Sequence, residues 1–471
     1  MLRKLRIQNF KGWKDTGNIT MAPITLFFGA NSSGKSSIGQ FLMMLKQTVE
    51  SSDRRAVLFP GDHNTAVQLG SYQDMVFGRN IENIISFEYQ WDCEITIDEI
   101  YSDMKDDNVY VDSTLWFKSV IFFETMKQKL IVSNFTYVLL NEYYEDQSIK
   151  MVCRINNKHE SECRIIWDDL YDDDTETWHP GSPIRFYGFP NLKNNSDKLT
   201  DLNNCNELLF KSIYYLGPLR TKPFRLYSWI GNEPDSVGYS GENTIPALLS
   251  AKDRTIEINI PGLTEASEAK PFAEVIANSL LAMGLIHGFK VERISEQRYE
   301  YEVKIQIHGS DSWVDLPDVG FGISQVLPVL VQCYYAPPGS IIIMEQPEIH
   351  LHPSAQSALA DVLIDVIYSR ENGEDRNIQL IIESHSEHFL RRLQRRIAED
   401  VIPREKVSAY FAKVVDSAST LTPLKIDQYG SIRNWPENFF GDEMGDITSQ
   451  AEAAIAKRKK ELAKTTGSSH V

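Results

Sequence analysis

Nine residues near the N-terminus have the types and the spacing of a phosphate-binding loop. The stretch GANSSGKSS, from Gly29 to Ser37, matches the pattern G-x-x-x-x-G-K-[ST] and lies between a strand-like run and a helix-like run. These flanks disfavour the alternative, a Gly/Ser-rich turn without a ligand. The motif predicts that Lys35 reaches the β- and γ-phosphates of a nucleotide and that Ser36 offers its hydroxyl to Mg²⁺. The predicted nucleotide-binding residues are Gly29, Asn31, Ser32, Ser33, Gly34, Lys35, Ser36 and Ser37.

The stretch IIIMEQPEIHLHP, from Ile341 to Pro353, carries a second group that could do chemistry. Its apolar run without alternation is typical of a strand buried on both faces of a parallel sheet, and Glu345 ends that run. A carboxylate at this point can help to hold the Mg²⁺ of a bound nucleotide. The next residue is Gln346, an amide that can orient a water molecule but cannot accept its proton at neutral pH. The stretch therefore predicts slow nucleotide hydrolysis, with Glu348 as the nearest other carboxylate.

Composition limits the classes of protein that the chain can belong to. Its 471 residues are 42% apolar, enough for two or three folding units with a substantial core. Lys and Arg total 48 against 65 Asp and Glu. The formal charge of -17 argues against a protein that binds nucleic acid over its whole surface. The five cysteines show no C-x-x-C spacing, so they predict neither a disulfide framework nor a zinc site. No apolar run approaches the length of a membrane span, so we expect a soluble, cytoplasmic protein.

The residue pattern places both motifs in an α/β fold. ITLFFG and NIQLIIES are apolar, strand-like runs, and segments at about 354–369 and 386–398 have the spacing of helices. Between about 85 and 210, short strand-like runs alternate with acidic or Asn-rich breaks and predict an antiparallel β insertion. Its acidic run Asp172–Asp174 is interpreted as a solvated loop. The segment Ala269–Phe289 predicts a helix.

The order of four motifs carries a resemblance to a known family. GANSSGKSS, VGFGISQ, EQPEIHLHP and ESHSEHF follow one another as in the RecF, SMC and OLD branch of ABC-type ATPases. More closely, the chain resembles stand-alone AAA-type ATPases of bacterial defence systems, including the Septu and PARIS ATPase subunits. YLGPLR is similar to a stretch common in that group. The segment from Lys406 to Phe440 resembles the uncharacterised C-terminal domain that these ATPases often carry.

This resemblance implies an ABC-type ATPase head with a mixed or parallel core sheet flanked by helices, plus the antiparallel β insertion and a helical layer. It also implies the domain boundaries. The expected domains are an N-terminal part of the head with the phosphate loop (1–85), a β-rich insertion (86–210), a helical and β lid region (211–310), a C-terminal part of the head (311–400), and a small β-hairpin domain with a helical tail (401–471).

The resemblance assigns further residues to the site. Gly320, Gly322, Ser324 and Gln325 in DVGFGISQ match the signature segment, which contacts the γ-phosphate of ATP held by a second protomer. Standing alone, Ser324 would more readily be read as a helix N-cap. His385 matches the switch histidine that hydrogen-bonds the γ-phosphate, and Gln73 is the candidate for the Q-loop ligand of Mg²⁺.

The family pattern also gives roles to the residues that follow the buried strand. Glu345 is expected to hold the Mg²⁺ shell. Gln346 stands where the family has a second acid, so it orients water without acting as a base, and Glu348 assists or contacts the partner protomer. His350 and His352 could form a metal site, but the resemblance favours the D-loop, which crosses between protomers. Arg220 is a further candidate, with a surface ion pair as its alternative.

The implied partners follow from the family as well. We expect a head-to-tail homodimer or a higher homo-oligomer, with ATP and Mg²⁺ as cofactors and no membrane. The short stretch after His385 shows no D-x-D metal pair, so we expect a separately encoded effector, a nuclease or a toxin, that this chain controls in antiviral defence. A RecF-like DNA-repair ATPase is the alternative; it needs a local basic face, for example Lys211, Arg220, Lys222 and Arg225. A third reading is a nucleotide-gated scaffold with little turnover.

Overall fold

The structure is a computed structural model. It describes residues 1–93, 113–141, 148–155, 161–168, 175–178, 185–188, 196–262, 268–307, 311–436, 439–440 and 443–467. The acidic run Asp172–Asp174 lies outside the described residues.

The described strands and helices follow one another in an order that mixes both types along the chain. The strands are β1 (Leu2–Phe10), β2 (Trp13–Asp15), β3 (Ile19–Thr20), β4 (Ile24–Gly29), β5 (Ile85–Cys93), β6 (Ser113–Glu124), β7 (Lys129–Asn141), β8 (Ser148–Ile155), β9 (Ser161–Asp168), β10 (Thr175–Trp178), β11 (Ile213–Leu216), β12 (Tyr227–Ser228), β13 (Thr255–Ile258), β14 (Lys270–Pro271), β15 (Gly288–Arg293), β16 (Glu300–Gln306), β17 (Trp313–Asp315), β18 (Ile341–Glu345), β19 (Ser369–Glu371), β20 (Glu374–Asp375), β21 (Gln379–Glu383), β22 (Val407–Val415) and β23 (Ala418–Pro423). The α-helices are α1 (Lys35–Glu50), α2 (Tyr72–Met75), α3 (Ser196–Lys211), α4 (Thr244–Ser250), α5 (Phe272–Ala282), α6 (Phe321–Tyr335), α7 (Pro353–Ile367), α8 (Glu387–Ala398) and α9 (Glu443–Gly467).

A six-stranded sheet forms the centre of the molecule, in the order β11-β18-β21-β4-β22-β23. Its first five strands are parallel, and β23 returns antiparallel to β22 through a hairpin. Every residue of β18 and β21 is buried, because apolar layers cover both faces of the sheet. The carboxyl ends of β4, β18 and β21 therefore lie side by side at one edge of the sheet.

The two faces of this sheet pack against different layers. Ile342 and Met344 of β18 belong to one apolar core, together with residues of α6, α7 and α8. Ile341 and Ile343 point the other way and pack with α1 and the antiparallel sheet. The apolar run of β18 thus serves two cores, which explains why it shows no alternation in the sequence.

The second large sheet is antiparallel, in the order β10-β9-β8-β7-β6-β5-β1-β2, with β3 paired to β1. It combines the N-terminal strands with the β insertion, so the insertion extends a sheet that begins at Leu2. Two smaller sheets complete the described strands, one of β12, β15, β16 and β17 and one of β13, β14, β19 and β20, and the helices α4 and α5 precede α6 in the chain. The predicted fold class, α/β with a mostly parallel core sheet, an antiparallel β insertion and a helical layer, is confirmed.

Local expectations were less accurate at two places. The helix predicted for Ala269–Phe289 is only α5, because Gly284 adopts φ +68 and the chain enters β15 at Gly288. Cys153 is disulfide-bonded, although the cysteine spacing predicted no disulfide framework. In the described part of the chain, no helix combines the length and the apolar character needed to cross a bilayer.

Candidate functional site

The phosphate-binding loop connects β4 to α1 at the edge where the parallel strands end. Gly29 and Gly34 adopt φ values of +142° and +97°, which a residue with a side chain rarely takes. The Nζ of Lys35 donates hydrogen bonds to the carbonyl oxygens of Gly29 (3.1 Å) and Ala30 (2.8 Å). Lys35 is 4% exposed, and this burial lowers the pKa of its amino group. The loop is thus curled around a buried cation, as a phosphate site requires.

A cavity of about 360 Å³ opens above this loop. It brings together nine of the residues that the sequence predicts for the site. These are Asn31, Ser32, Ser33, Gly34, Lys35, Ser36, Ser37, Gln346 and His385. The remaining lining residues are Lys11, Gly12, Gln40, Glu383 and Ser419.

Two carboxylates end neighbouring strands beside the loop. Glu345 of β18 and Glu383 of β21 are partners in the parallel register, and Glu383 Oε1 lies 3.8 Å from Lys35 Nζ. The hydroxyl of Tyr215 donates a 2.7 Å hydrogen bond to Glu345 Oε1. Burial raises the pKa of Glu345 to about 7, against the opposing effects of this hydrogen bond and of the Lys11 charge. A cation near Glu345 would favour its charged form.

Gln346 has a strained backbone at the point where the chain leaves β18. Its φ of +48 lies in the left-handed region, which is uncommon for a residue other than glycine. Its N–H donates to the Glu383 carbonyl (2.8 Å). The Arg220 guanidinium, 8% exposed, donates to the carbonyl oxygens of Glu345 (3.1 Å) and Gln346 (3.4 Å). Arg220 therefore stabilises the backbone of this turn. It is buried, and among the described residues it makes no surface ion pair.

Glu348 lies behind the cavity wall and is not one of the lining residues. Its Oε1 accepts hydrogen bonds from Ser384 Oγ and from the backbone N–H of His385, both 2.8 Å long. Burial raises the pKa of the Glu348 carboxyl. His385 itself lines the cavity, and burial together with the charge of Lys35 lowers the pKa of its imidazole. Glu348 is thus placed to hold the loop that carries His385.

The signature-like segment lies at the start of α6 and does not line the cavity. A β-carbon on Gly322 would lie 3.0 Å from the carbonyl oxygen of His350, so the two segments are in close contact. Ser324 is buried in the first turn of α6, where its hydroxyl donates to the Phe321 carbonyl (2.9 Å). It is not an N-cap, because Gly320 occupies that position. Gln325 is buried in the same turn.

The His350–His352 corner does not form a metal centre. His350 adopts φ +63 and its ring lies 5.9 Å from that of Phe321, while His352 caps α7 and accepts from the N–H of Ser354. Among the described residues, no group of three or more His, Cys, Asp or Glu side chains could hold a metal ion. The metal alternative for this corner therefore finds no support.

Some cavity residues were missed by sequence reasoning. Gln73, the predicted Q-loop residue, lies exposed on the short helix α2, outside the cavity lining. Gln40 of α1, which was not predicted, lines the cavity and accepts a 2.5 Å hydrogen bond from Lys11 Nζ. Glu383 ends a buried strand just as Glu345 does, so the same signal could have found it. Lys11 and Ser419 carry no comparable local signal.

The site has polar atoms that fit a nucleotide with a divalent cation. Ser33 Oγ and Glu383 Oε2 are buried without a hydrogen-bond partner among the described residues, and buried polar atoms normally have one. Lys35 and Lys11 supply positive charge for phosphates, and the Ser36 hydroxyl and Glu383 supply oxygen donors that Mg²⁺ prefers. Glu345 does not line the cavity but ends the strand beside Glu383. The donor set is therefore consistent with ATP and Mg²⁺.

Comparison with known sequences identifies two matching families. Residues 1–390 match the family described as AAA ATPase domain. Residues 402–450 match a family described only as a protein of unknown function. No curated protein sequence matches the chain.

Solved structures give weaker likenesses. The SMC head domain from Thermotoga maritima is 11% identical, with a TM-score of 0.36 over 90% of this chain and 99% of that one. The Smc head domain with an extended coiled coil bound to the C-terminal domain of ScpA, from Pyrococcus furiosus, is also 11% identical, with a TM-score of 0.38 over 90% of this chain and 96% of that one. Both TM-scores are below 0.5, too low to support an argument.

Proposed function

We propose that this chain, which belongs to the family of AAA ATPase domains and is thus an ATP-binding ATPase, hydrolyses ATP slowly. We also propose that a second copy of the chain completes each ATP site. The observation that carries this proposal is the separation of two motifs. The cavity of one chain contains Lys35 and Ser36 but none of Gly322, Ser324 and Gln325. A second chain, turned head to tail, would bring its own α6 N-terminus over the phosphates.

In the proposed mechanism each cavity residue has a role set by its surroundings. Lys35 binds the β- and γ-phosphates, and the loop N–H groups hold the remaining phosphate oxygens. Ser36 and Glu345 would hold Mg²⁺, which neutralises charge on the phosphates when it is bound. The hydrogen bond from Tyr215 fixes the carboxyl of Glu345 in the direction of the loop. Gln73 stays only a sequence prediction for a metal ligand: neither it nor Glu345 lines the cavity, but Gln73 lies exposed on α2, whereas Glu345 ends a buried strand beside Glu383.

Gln346 orients the attacking water in this mechanism. Its side chain lines the cavity, and its backbone is held by Arg220 and Glu383. Phosphoryl transfer depends more on positioning and charge stabilisation than on a strong base, so an amide slows turnover without abolishing it. His385 contacts the γ-phosphate, and Glu348 acts through His385 by holding its backbone.

Steady-state phosphate release from three variants tests these roles. Glu345→Gln is expected to lower turnover by about a hundredfold, because it removes the charge that holds Mg²⁺. Gln346→Ala is expected to lower turnover by about tenfold. Glu348→Gln is expected to lower turnover by less than tenfold, because Glu348 acts only through His385. The assignment is wrong if Glu345→Gln releases phosphate as fast as the parent protein.

We place this activity in bacterial anti-phage defence, where the chain would act as the sensor or regulatory subunit of a separately encoded nuclease or toxin. The setting rests on the family resemblance of the motifs. Direct DNA binding of the RecF kind is less favoured, because three of the four cations of its basic face are paired or buried. Lys211 pairs with Glu207, Arg225 pairs with Asp315 and Asp318, and Arg220 is buried, whereas Lys222 is exposed.

A phage-challenge assay with the neighbouring genes tests the setting. Protection that requires both this chain and an adjacent effector gene is the expected result. ATP-dependent, salt-sensitive binding of duplex DNA by the isolated chain would instead support the repair alternative.

A further inference from the structure

The hairpin of β22 and β23 packs directly on the phosphate-binding loop. β22 pairs with β4, so that Ala412 is opposite Gly29. A β-carbon on Gly29 would lie 2.1 Å from the carbonyl oxygen of Ala412, and one on Gly34 would lie 2.7 Å from Ser419 Oγ. Both glycines of the loop thus face this hairpin at distances that admit no side chain. The hairpin lies beyond the segment that matches the ATPase family and inside the segment of unknown function.

Ser419 is the hairpin residue that reaches the cavity. Its backbone N–H donates a 2.7 Å hydrogen bond to the carbonyl of Gly12, and a β-carbon on Gly12 would lie 2.6 Å from its Oγ. The side chain therefore fills a notch between Gly12 and Gly34. Ser419 is 5% exposed and lines the cavity. Its hydroxyl has no hydrogen-bond partner among the residues that the structure describes.

The position of Ser419 along the loop indicates which part of a nucleotide it would meet. Lys35 points toward Glu383 and reaches the β- and γ-phosphates. Gly34 and Ser37 lie where the loop enters α1, and the backbone of such a loop cradles the α- and β-phosphates. Trp13 fixes that end of the loop, since its Nε1 donates to Ser37 Oγ (2.8 Å) and to the Gly34 carbonyl (3.1 Å). Ser419 lies beside this end.

We infer that Ser419 binds the nucleotide at its α-phosphate or ribose, and that the C-terminal hairpin is one wall of the nucleotide site. The inference rests on the proposed function, because it needs the cavity to bind ATP. Its consequence is a role for the segment of unknown function. Since β22 and β23 contact both glycines of the loop, a nucleotide that shifts the loop also shifts the hairpin. The segment therefore senses whether the site is filled.

Isothermal titration with unlabelled ATP and Mg²⁺ tests this inference on the full chain. Ser419→Ala is expected to weaken binding by about threefold to tenfold, because one hydrogen bond to the nucleotide is lost. Ser419→Leu is expected to weaken ATP binding by about tenfold or more, because the larger side chain cannot fit between Gly12 and Gly34. Thr420→Val is the matched control. Its hydroxyl, on the next residue of β23, donates to the Lys413 carbonyl, so binding should stay within about twofold of the parent.

Two further arms separate the possible outcomes. Thermal unfolding without nucleotide reports whether each variant folds; if Ser419→Leu unfolds early, Ser419→Ala alone is compared with Thr420→Val. Lys35→Ala tests the proposed function independently. If Lys35→Ala loses binding while Ser419→Ala binds as tightly as Thr420→Val, the inference about Ser419 is wrong and the proposed function stands. If Lys35→Ala also binds like the parent, the proposed function itself fails.

Discussion

The phosphate-binding loop and the segment before α6 both place a glycine at a helix start, but they differ in backbone conformation, since Gly34 is left-handed and Gly320 is extended, and in their surroundings. Each places a glycine directly before a helix, Gly34 before α1 and Gly320 before α6, and neither helix has a side-chain N-cap. The first turn of α1 carries the buried Lys35 and lies under a polar cavity. The first turn of α6 begins with Phe321, 61% exposed, and carries no cation.

This difference predicts that one region binds ATP and the other contributes to its hydrolysis. A helix N-terminus alone attracts an anion weakly, whereas a loop with a buried cation and several directed N–H groups binds it firmly. The loop at α1 is therefore expected to capture ATP by itself. The segment at α6 is expected to contribute only when ATP is already present on another copy. The two regions are halves of one composite site, according to this account.

The largest expected effect comes from removing the cation of the first region. Lys35→Ala should weaken ATP binding by about a hundredfold, since a hydrogen bond between charged groups is lost from a buried site. Lys14→Ala, an exposed lysine on β2, should bind like the parent. Isothermal titration with ATP and Mg²⁺ measures both. If Lys35→Ala and Lys14→Ala bind ATP with equal affinity, the loop before α1 does not bind ATP through Lys35, and the proposed difference between the two regions is wrong.

A smaller effect is expected from the second region, and on turnover alone. Gly320→Glu places a negative charge where the partner's phosphates would lie, and a β-carbon at Gly320 meets no atom within 4 Å. The charge favours the helix N-terminus, so the fold should tolerate it. Turnover should fall by about tenfold or more while ATP affinity stays unchanged. Gly320→Gln, of the same size and uncharged, is the control, and an equal loss in both variants would mean that steric bulk rather than charge is responsible.

The smallest expected effect is a pH dependence from His385. Burial and the Lys35 charge lower the pKa of its imidazole, so the ring is neutral at pH 7 and gains a proton only below its ordinary pKa of about 6.5. The ratio of parent to His385→Gln turnover should be constant from pH 8.5 to 7 and should fall, by about twofold to fivefold, toward pH 5.5. The comparison cancels the titration of ATP itself. His350→Gln, outside the cavity lining, should give no such change; a flat ratio for His385→Gln would exclude a role for this histidine.

The sequence predicted the parts of the site that depend on local order. Glu345 was predicted because it ends an apolar run, and the loop was predicted because its residues are contiguous. Ser419 and Lys11 were not predicted, since they enter the cavity through the pairing of distant strands. Gln73 was predicted as the Q-loop residue but lies outside the cavity lining, and Gln40, which was not predicted, lines the cavity. An amide gives no local signal of the direction in which its helix faces.

The fold shows the same division. The buried runs of β18 and β21 were predicted as strands of a parallel sheet because such strands are apolar on both faces. The end of α5 was misjudged, because the left-handed Gly284 stops a run whose apolar spacing continues. Spacing predicts that an element exists better than it predicts where the element ends.

Mixing the two impaired variants Lys35→Ala and Gly320→Glu tests the composite site most directly. Lys35→Ala keeps its own segment before α6, and Gly320→Glu keeps its own phosphate loop, so a mixed head-to-tail dimer contains one intact site and one doubly altered site. In an equal mixture, half of the dimers are mixed and half of their sites are intact, so about a quarter of the parent ATP turnover should return. If the mixture hydrolyses no more ATP than the two variants measured separately, each chain contains its whole site and the account is wrong.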